Sequence, residues 1–136
     1  MDKIIARWEW RTFGDAFGTA EDKIRSFPCD KVRNSSEVYI LSRKSMDNTK
    51  IRDMLMDIKT LQQINADKLE QWYPVMKAGF PLTHEVLADV FTAWKVKMPE
   101  FARETYSYDE FLGELVHRHP DLRAVQVEKE RHGFSI

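Results

Sequence analysis

Charged and apolar side chains alternate strictly at the start of this chain. Arg7, Glu9 and Arg11 fall on one side, and Ala6, Trp8, Trp10 and Thr12 on the other. Period two is the signature of a strand, so a strand is predicted over 5–13, ended by Gly14. The alternation returns at 49–60, where Lys50 and Arg52 flank Ile51, and Asp57 and Lys59 enclose Ile58. A turn near Met54 makes this an antiparallel hairpin with both charged sets on one face. Two registers remain open: Arg52 opposite Asp57 with Lys50 opposite Lys59, or Lys50 opposite Asp57. Asp53-Met54-Leu55 lacks the Asn-Gly chemistry of a two-residue hairpin turn and does not choose between them. A third alternating run, 122–134, sets Val125, Val127, Lys129 and Arg131 against Ala124, Gln126, Glu128 and Glu130.

Other stretches fill in around these. Glu37 to Arg43 is rich enough in β-branched and aromatic residues for a strand, preceded by a turn at Asn34-Ser35-Ser36 and followed by a polar loop, Lys44 to Asn48. Leu69 to Ala78 reads as a strand that Pro74 confines to an edge or a bulge, after a weakly patterned 61–68. Three helices are predicted. One starts near Thr19 with a capping-box-like Thr19-Ala20-Glu21-Asp22 and stops before Pro28. One starts at an N-cap Thr83 and buries Val86, Leu87, Val90, Phe91 and Trp94. One starts at a Ser107/Glu110 capping box and buries Phe111, Leu112, Leu115 and Val116. About six strands in meander order with three helices and no βαβ alternation make an α+β fold. The aromatic side of the first strand is expected to pack on the helices. The charged sides would then line a groove or the interior of a partial, tunnel-like barrel.

At 136 residues the chain is read as one domain, 1–136. Its net charge of −1 makes nucleic acid an unexpected partner, so any basic patch must be local. The lone Cys29 forms no intrachain disulfide and fits a reducing cytosol. It is expected to be a small buried or loop residue rather than a nucleophile. No signal peptide or apolar span of about 20 residues is present, so the expectation is a cytoplasmic protein without a membrane contact. No glycine-rich phosphate loop, nucleophile elbow or zinc spacing occurs. His117 and His119 close a helix, and His132 offers a minor anion contact beside Arg131.

The collected polar face holds Arg7, Arg11, Lys50, Arg52, Lys59, Lys129 and Arg131 against Glu9 and Asp57, seven cations to two carboxylates. In one concavity these would attract a chain of phosphates, through planar guanidinium forks and point-charge ammonium groups. Glu9 and Asp57 are oxygen ligands suited to a hard divalent cation. The plainer alternative is a solvated sheet face that happens to be charged.

The succession Arg7-Trp8-Glu9-Trp10-Arg11, Lys50-Ile51-Arg52, Asp57-Ile58-Lys59 and Lys129-Glu130-Arg131 resembles the CYTH superfamily, the triphosphate tunnel metalloenzymes. That family carries Glu-x-Glu-x-Lys on its first strand, then a strand of paired basic residues, then one ending in lysine. The resemblance implies an eight-stranded antiparallel tunnel that binds triphosphates or polyphosphates and hydrolyses them with magnesium or manganese. Its members include inorganic, thiamine and RNA triphosphatases, adenylate cyclases and polyphosphate-handling domains. By position, Glu9 would be a metal ligand, joined by Asp57, and Arg11, Lys50, Arg52, Lys59, Lys129 and Arg131 would bind phosphate.

Two departures qualify this. Arg7 replaces the first motif glutamate and Arg11 the lysine, which removes a metal-ligating carboxylate. The sequence also stops after a strand at Phe134-Ser135-Ile136, where the family usually adds further strands; a fragment, a tunnel completed by another chain, and an open sheet edge that invites pairing with a second copy are the three expectations. Three functions therefore stand: a metal-dependent triphosphatase or polyphosphatase, a polyanion- or nucleotide-binding module of the same fold without turnover, and a structural, partner-binding domain.

Overall fold

A computed structural model describes residues 7–136. The part of the first predicted strand at Ile5 and Ala6 lies outside them. The described chain runs β1 (Trp8–Glu9), α1 (Gly18–Arg25), β2 (Cys29–Ser42), β3 (Ser45–Arg52), β4 (Leu55–Ile64), β5 (Glu70–Gly79), β6 (Leu82–Thr83), α2 (His84–Trp94), β7 (Thr105–Tyr106), α3 (Tyr108–Glu110, continued by a π-helical turn over Phe111–Val116) and β8 (Leu122–Phe134). It is an α+β fold. Six strands form one antiparallel sheet in the order β1-β5-β4-β3-β2-β8, and β6 and β7 form a separate two-stranded ribbon. The sheet curls into a half-barrel, because residues on its two edge strands, β1 and β8, line one cavity.

The alternation decides which face is which. Ile40, Ile51, Met56 and Ile58 project to the convex face and are fully buried there with Leu87, Val90, Phe91 and Trp94 of α2 and Phe111, Leu115 and Val116 beyond α3. Burying these side chains is the main driving force for the fold. Both helix starts are built as the residues predict. The Thr83 hydroxyl accepts from the Val86 amide at 3.3 Å. Ser107 and Glu110 close a reciprocal capping box, with the Glu110 amide donating to Ser107 Oγ at 3.2 Å and the Ser107 amide to Glu110 Oε1 at 2.9 Å. Pro74 sits at a bulge between β4 and β5, where its missing N–H costs no ladder bond.

Several expectations fail for identifiable reasons. No turn forms at Asn34-Ser35-Ser36. β2 runs straight through, because β8 pairs with it from Ser42↔Leu122 to Cys29↔Phe134, matching Ser35 to Lys129. A long partner strand supplies the backbone bonds that a local turn would have made. The polar loop over 44–48 shrinks to a turn at Arg43-Lys44, with β3 starting at Ser45. α1 begins at Gly18 without a side-chain cap, so the Thr19 capping box is absent. Cys29 is an exposed strand residue, neither buried nor in a loop. The aromatic side of the first strand is not covered by helices: Trp8 and Trp10 are 42% and 64% exposed. The helices sit over the apolar side chains of β2–β5 and β8, and β1 lies at the sheet's far edge, outside that core.

The hairpin turn is the clearest case of local strain. Asp53 and Met54 both adopt the left-handed region, with φ of 53° and 59°, so two ordinary residues occupy a type I′ turn that favours glycine. Met54→Gly is expected to raise stability by about 1 kcal/mol, since the residue is exposed and only backbone strain is removed. A higher urea midpoint at unchanged m-value would show it; a lower midpoint would mean that the Met54 side chain has a packing role.

Candidate anion-binding site

The β3–β4 register is Lys50↔Asp57, with Asn48↔Lys59 next to it and Arg52↔Leu55 beside the turn. Cross-strand partners share a face, so Asn48, Lys50, Asp57 and Lys59 all project to the concave side. β1 and its flanks add Arg7, Glu9 and Arg11 from one edge, and β8 adds Lys129 and Arg131 from the other. Tyr39, Trp72 and Pro74 complete the wall of a cavity of about 510 Å³. Six of the seven cations read from the alternation, and both carboxylates, therefore meet in one concavity. Strand alternation puts the charges on one face, and curvature gathers them.

The seventh cation, Arg52, is turned elsewhere. It points to Glu37, with Nη1 at 3.4 Å from Oε1, and does not line the cavity. Glu37 is the residue that the sequence reading missed. It is only 2% exposed. Its Oε2 accepts from the Tyr39 hydroxyl at 2.8 Å and from Lys129 Nζ at 2.8 Å, and its Oε1 accepts from Ser35 Oγ at 3.3 Å. Lys129 also donates to the Tyr39 hydroxyl and lies 4.8 Å from that ring's centre. Burial pushes the Glu37 carboxyl upward and is the largest single influence. The Lys129 and Tyr39 hydrogen bonds, with the charges of Lys129 and Lys50, together outweigh it and bring the carboxyl down to about 2. Burial likewise works to lower the Lys129 ammonium, but the bonds to Glu37 and Tyr39 leave it raised. Alternation against Val38 and Ile40 does place Ser35, Glu37 and Tyr39 on the charged face, but it carries no sign that Glu37 is buried.

Lys50 has the opposite environment. Half-buried on the cavity floor, it has no carboxylate within ion-pair distance among the described residues. Burial first, and then the like charges of Arg52 and Lys59, lower its affinity for its proton against the opposing pull of Glu37 and Asp57. An anion bound there would relieve both effects. Near β1, Arg11 pairs with Glu9, reaches Glu70 Oε1 at 3.8 Å and lies 5.8 Å from the Trp72 ring centre.

The proposed metal ligands, Glu9 and Asp57, share the cavity wall but not a coordination sphere. Glu9 is engaged by Arg11, and Asp57 lies 3.9 Å from Lys59. Among the described residues no three Asp, Glu, His or Cys side chains gather where a metal ion could sit. This donor set does not fit a protein-held magnesium or manganese ion, which calls for several oxygen ligands around one point. His132 is not an anion contact of this cavity. It pairs with Glu130 and belongs to the opposite face of β8 from Arg131.

No described helix is long and apolar enough to cross a membrane. No family model, curated protein or solved structure matches the chain.

Proposed function

We propose that the concave site binds the phosphate chain of a triphosphate or polyphosphate by charge neutralisation, without turnover on the described residues. The observation that carries this reading is Lys50: a half-buried lysine without an ion-pair partner among those residues, in a cavity that five further cations also line. A solvated face does not need its cations concentrated in a concavity at the expense of a lysine's proton affinity. Guanidinium groups (Arg7, Arg11 and Arg131) supply planar forks for phosphate oxygens, and Lys50, Lys59 and Lys129 supply point charges, Lys50 and Lys129 from half-buried positions. Hydrolysis would need a metal, for which Glu9, engaged by Arg11, and Asp57, beside Lys59, do not make a site.

Titration calorimetry with tripolyphosphate, with and without magnesium, tests this. Saturable binding that does not require magnesium supports the capture reading. Binding that appears only with magnesium would replace it with the metal-dependent phosphohydrolase, to be followed by a phosphate-release assay. No binding by folded protein would leave the cavity as plain charged surface. Lys50→Ala and Lys59→Ala are each expected to weaken binding by about 1.5–3 kcal/mol, the scale of a hydrogen bond to a charged group, or roughly 10- to 150-fold in Kd. Arg52→Ala, held by Glu37 away from the cavity, should have a clearly smaller effect.

A further inference from the structure

Beyond the cavity, β2 and β8 continue as a two-stranded ribbon with Arg33 opposite Arg131, Lys31 opposite Gly133 and Ser35 opposite Lys129. Partners in an antiparallel ladder project to the same side. Lys129 and Arg131 line the cavity, so Arg33 and Lys31 stand on that same face. The opposite face carries Glu128 and Glu130. Cations on one side and carboxylates on the other make a two-faced ribbon, whose basic side continues the β8 edge of the cavity. Like charges directly opposite, as in Arg33 and Arg131, disfavour the sheet. Among the described residues, Lys31, Arg33 and Arg131 have no carboxylate in ion-pair contact to offset that repulsion. An anion lying along the ribbon would offset it.

We propose that this face is a track for a linear polyphosphate too long for the cavity, gripped beyond Arg131 by Arg33 and Lys31. The inference rests on the phosphate-binding reading of the cavity and adds to it a second stretch of binding surface, outside the cavity, that only a long chain can reach. Lys31 lies level with Gly133, four residues past Lys129 along β8, which is about 13 Å. A group of phosphates centred on Lys50 leaves that stretch uncovered. Tyr39 and Trp72 belong to the cavity wall, and the stretch beyond it, Lys31 and Arg33 opposite Gly133 and Arg131, offers no aromatic side chain on which bases could stack. Grooves for single-stranded nucleic acid combine cations with such platforms, so an unadorned phosphate chain fits better than an oligonucleotide.

The test compares tripolyphosphate, long-chain sodium polyphosphate and a single-stranded homo-oligonucleotide on wild type and a Lys31→Gln/Arg33→Gln double variant. Both residues are exposed, and circular dichroism confirms that the variant folds. The variant is expected to lose about tenfold or more in affinity for long-chain polyphosphate, with a shallower salt dependence. It should bind tripolyphosphate within about twofold of wild type, and Arg33→Lys should keep most of the long-chain affinity. A long chain gains affinity simply by offering many overlapping frames, but that gain is common to wild type and variant, so their ratio isolates the track. Unchanged long-chain binding, or an equal loss on both phosphates, would overturn the track and leave the cavity reading standing. An oligonucleotide that binds as tightly and with the same sensitivity would replace polyphosphate with nucleic acid. Wild-type protein that binds neither phosphate would remove the cavity reading itself.

Discussion

Replacing Glu37 with glutamine is expected to destabilise the protein by about 3 kcal/mol at neutral pH. The carboxylate is buried, and it is the common partner of Lys129, Tyr39 and Arg52. Glutamine keeps the shape but removes the charge that these groups share. Lys129 and Arg52 are about one-third exposed and can recover some hydration, which holds the cost at the lower end for a broken buried pair. The pH dependence follows from the direction of the shift. The folded carboxyl titrates at about 2 against an ordinary 4.5, so folding is favoured wherever the group is ionised. That contribution is complete above about pH 4.5 and is lost as pH falls toward 2, where the unfolded chain takes up the proton first. Urea unfolding of wild type and Glu37→Gln should therefore show a wide gap at pH 7 that narrows steadily below pH 4. A gap independent of pH would mean that the cost comes from the acceptor oxygen lost to the amide and not from the charge of Glu37.

Trp94→Ala should cost more, about 3–5 kcal/mol. Trp94 is fully buried and packs its ring 5.2 Å from Phe91 and 6.0 Å from Phe111, so it joins the helices to one another and to the sheet. Its indole N–H also donates to the buried Thr49 hydroxyl on β3 at 2.8 Å. Truncation opens a cavity and removes that hydroxyl's donor. Trp94→Phe keeps most of the volume and should cost clearly less. The loss matters for the site as well. Thr49 is the neighbour of Lys50, and a helix pair that lifts from β3 releases the strand carrying the floor of the cavity. Circular dichroism during urea unfolding measures both variants. A cost near 1 kcal/mol for the alanine would show that α2 is not seated on the sheet.

These two residues mark how differently parts of the molecule could be read from the chain. Trp94 falls on the apolar stripe of a capped helix, and such a stripe at helical spacing announces burial without any knowledge of what covers it. Glu37 sits in an ordinary strand pattern, and nothing local distinguishes it from a solvated glutamate. Its role depends on Lys129, more than ninety positions away in sequence. The same division explains Arg52. Alternation correctly places it on the face of Lys50, but its position by the turn, within reach of Glu37, removes it from the cavity. It also explains the unbroken β2, where Asn34-Ser35-Ser36 has turn composition and a distant partner strand overrides it.

What the residues determined by themselves was therefore the set of faces: period two sorted charged from aliphatic side chains on β3 and β4 and cations from carboxylates on β8, and period 3.6 with two capped starts gave the helices an apolar side to bury. These are local consequences of backbone geometry, and they suffice for an α+β fold with one charged face. Only the tertiary structure decided the rest. The choice of Lys50 opposite Asp57 came from a strained turn that its composition does not announce. The meeting of β1 with β8 across one cavity came from the curl of the sheet. The pairing of Glu37 with Lys129, and the long basic ribbon beyond it, came from the register of β2 on β8. Register and curvature are collective properties of strands far apart in sequence, set by packing and hydrogen bonding over the whole sheet.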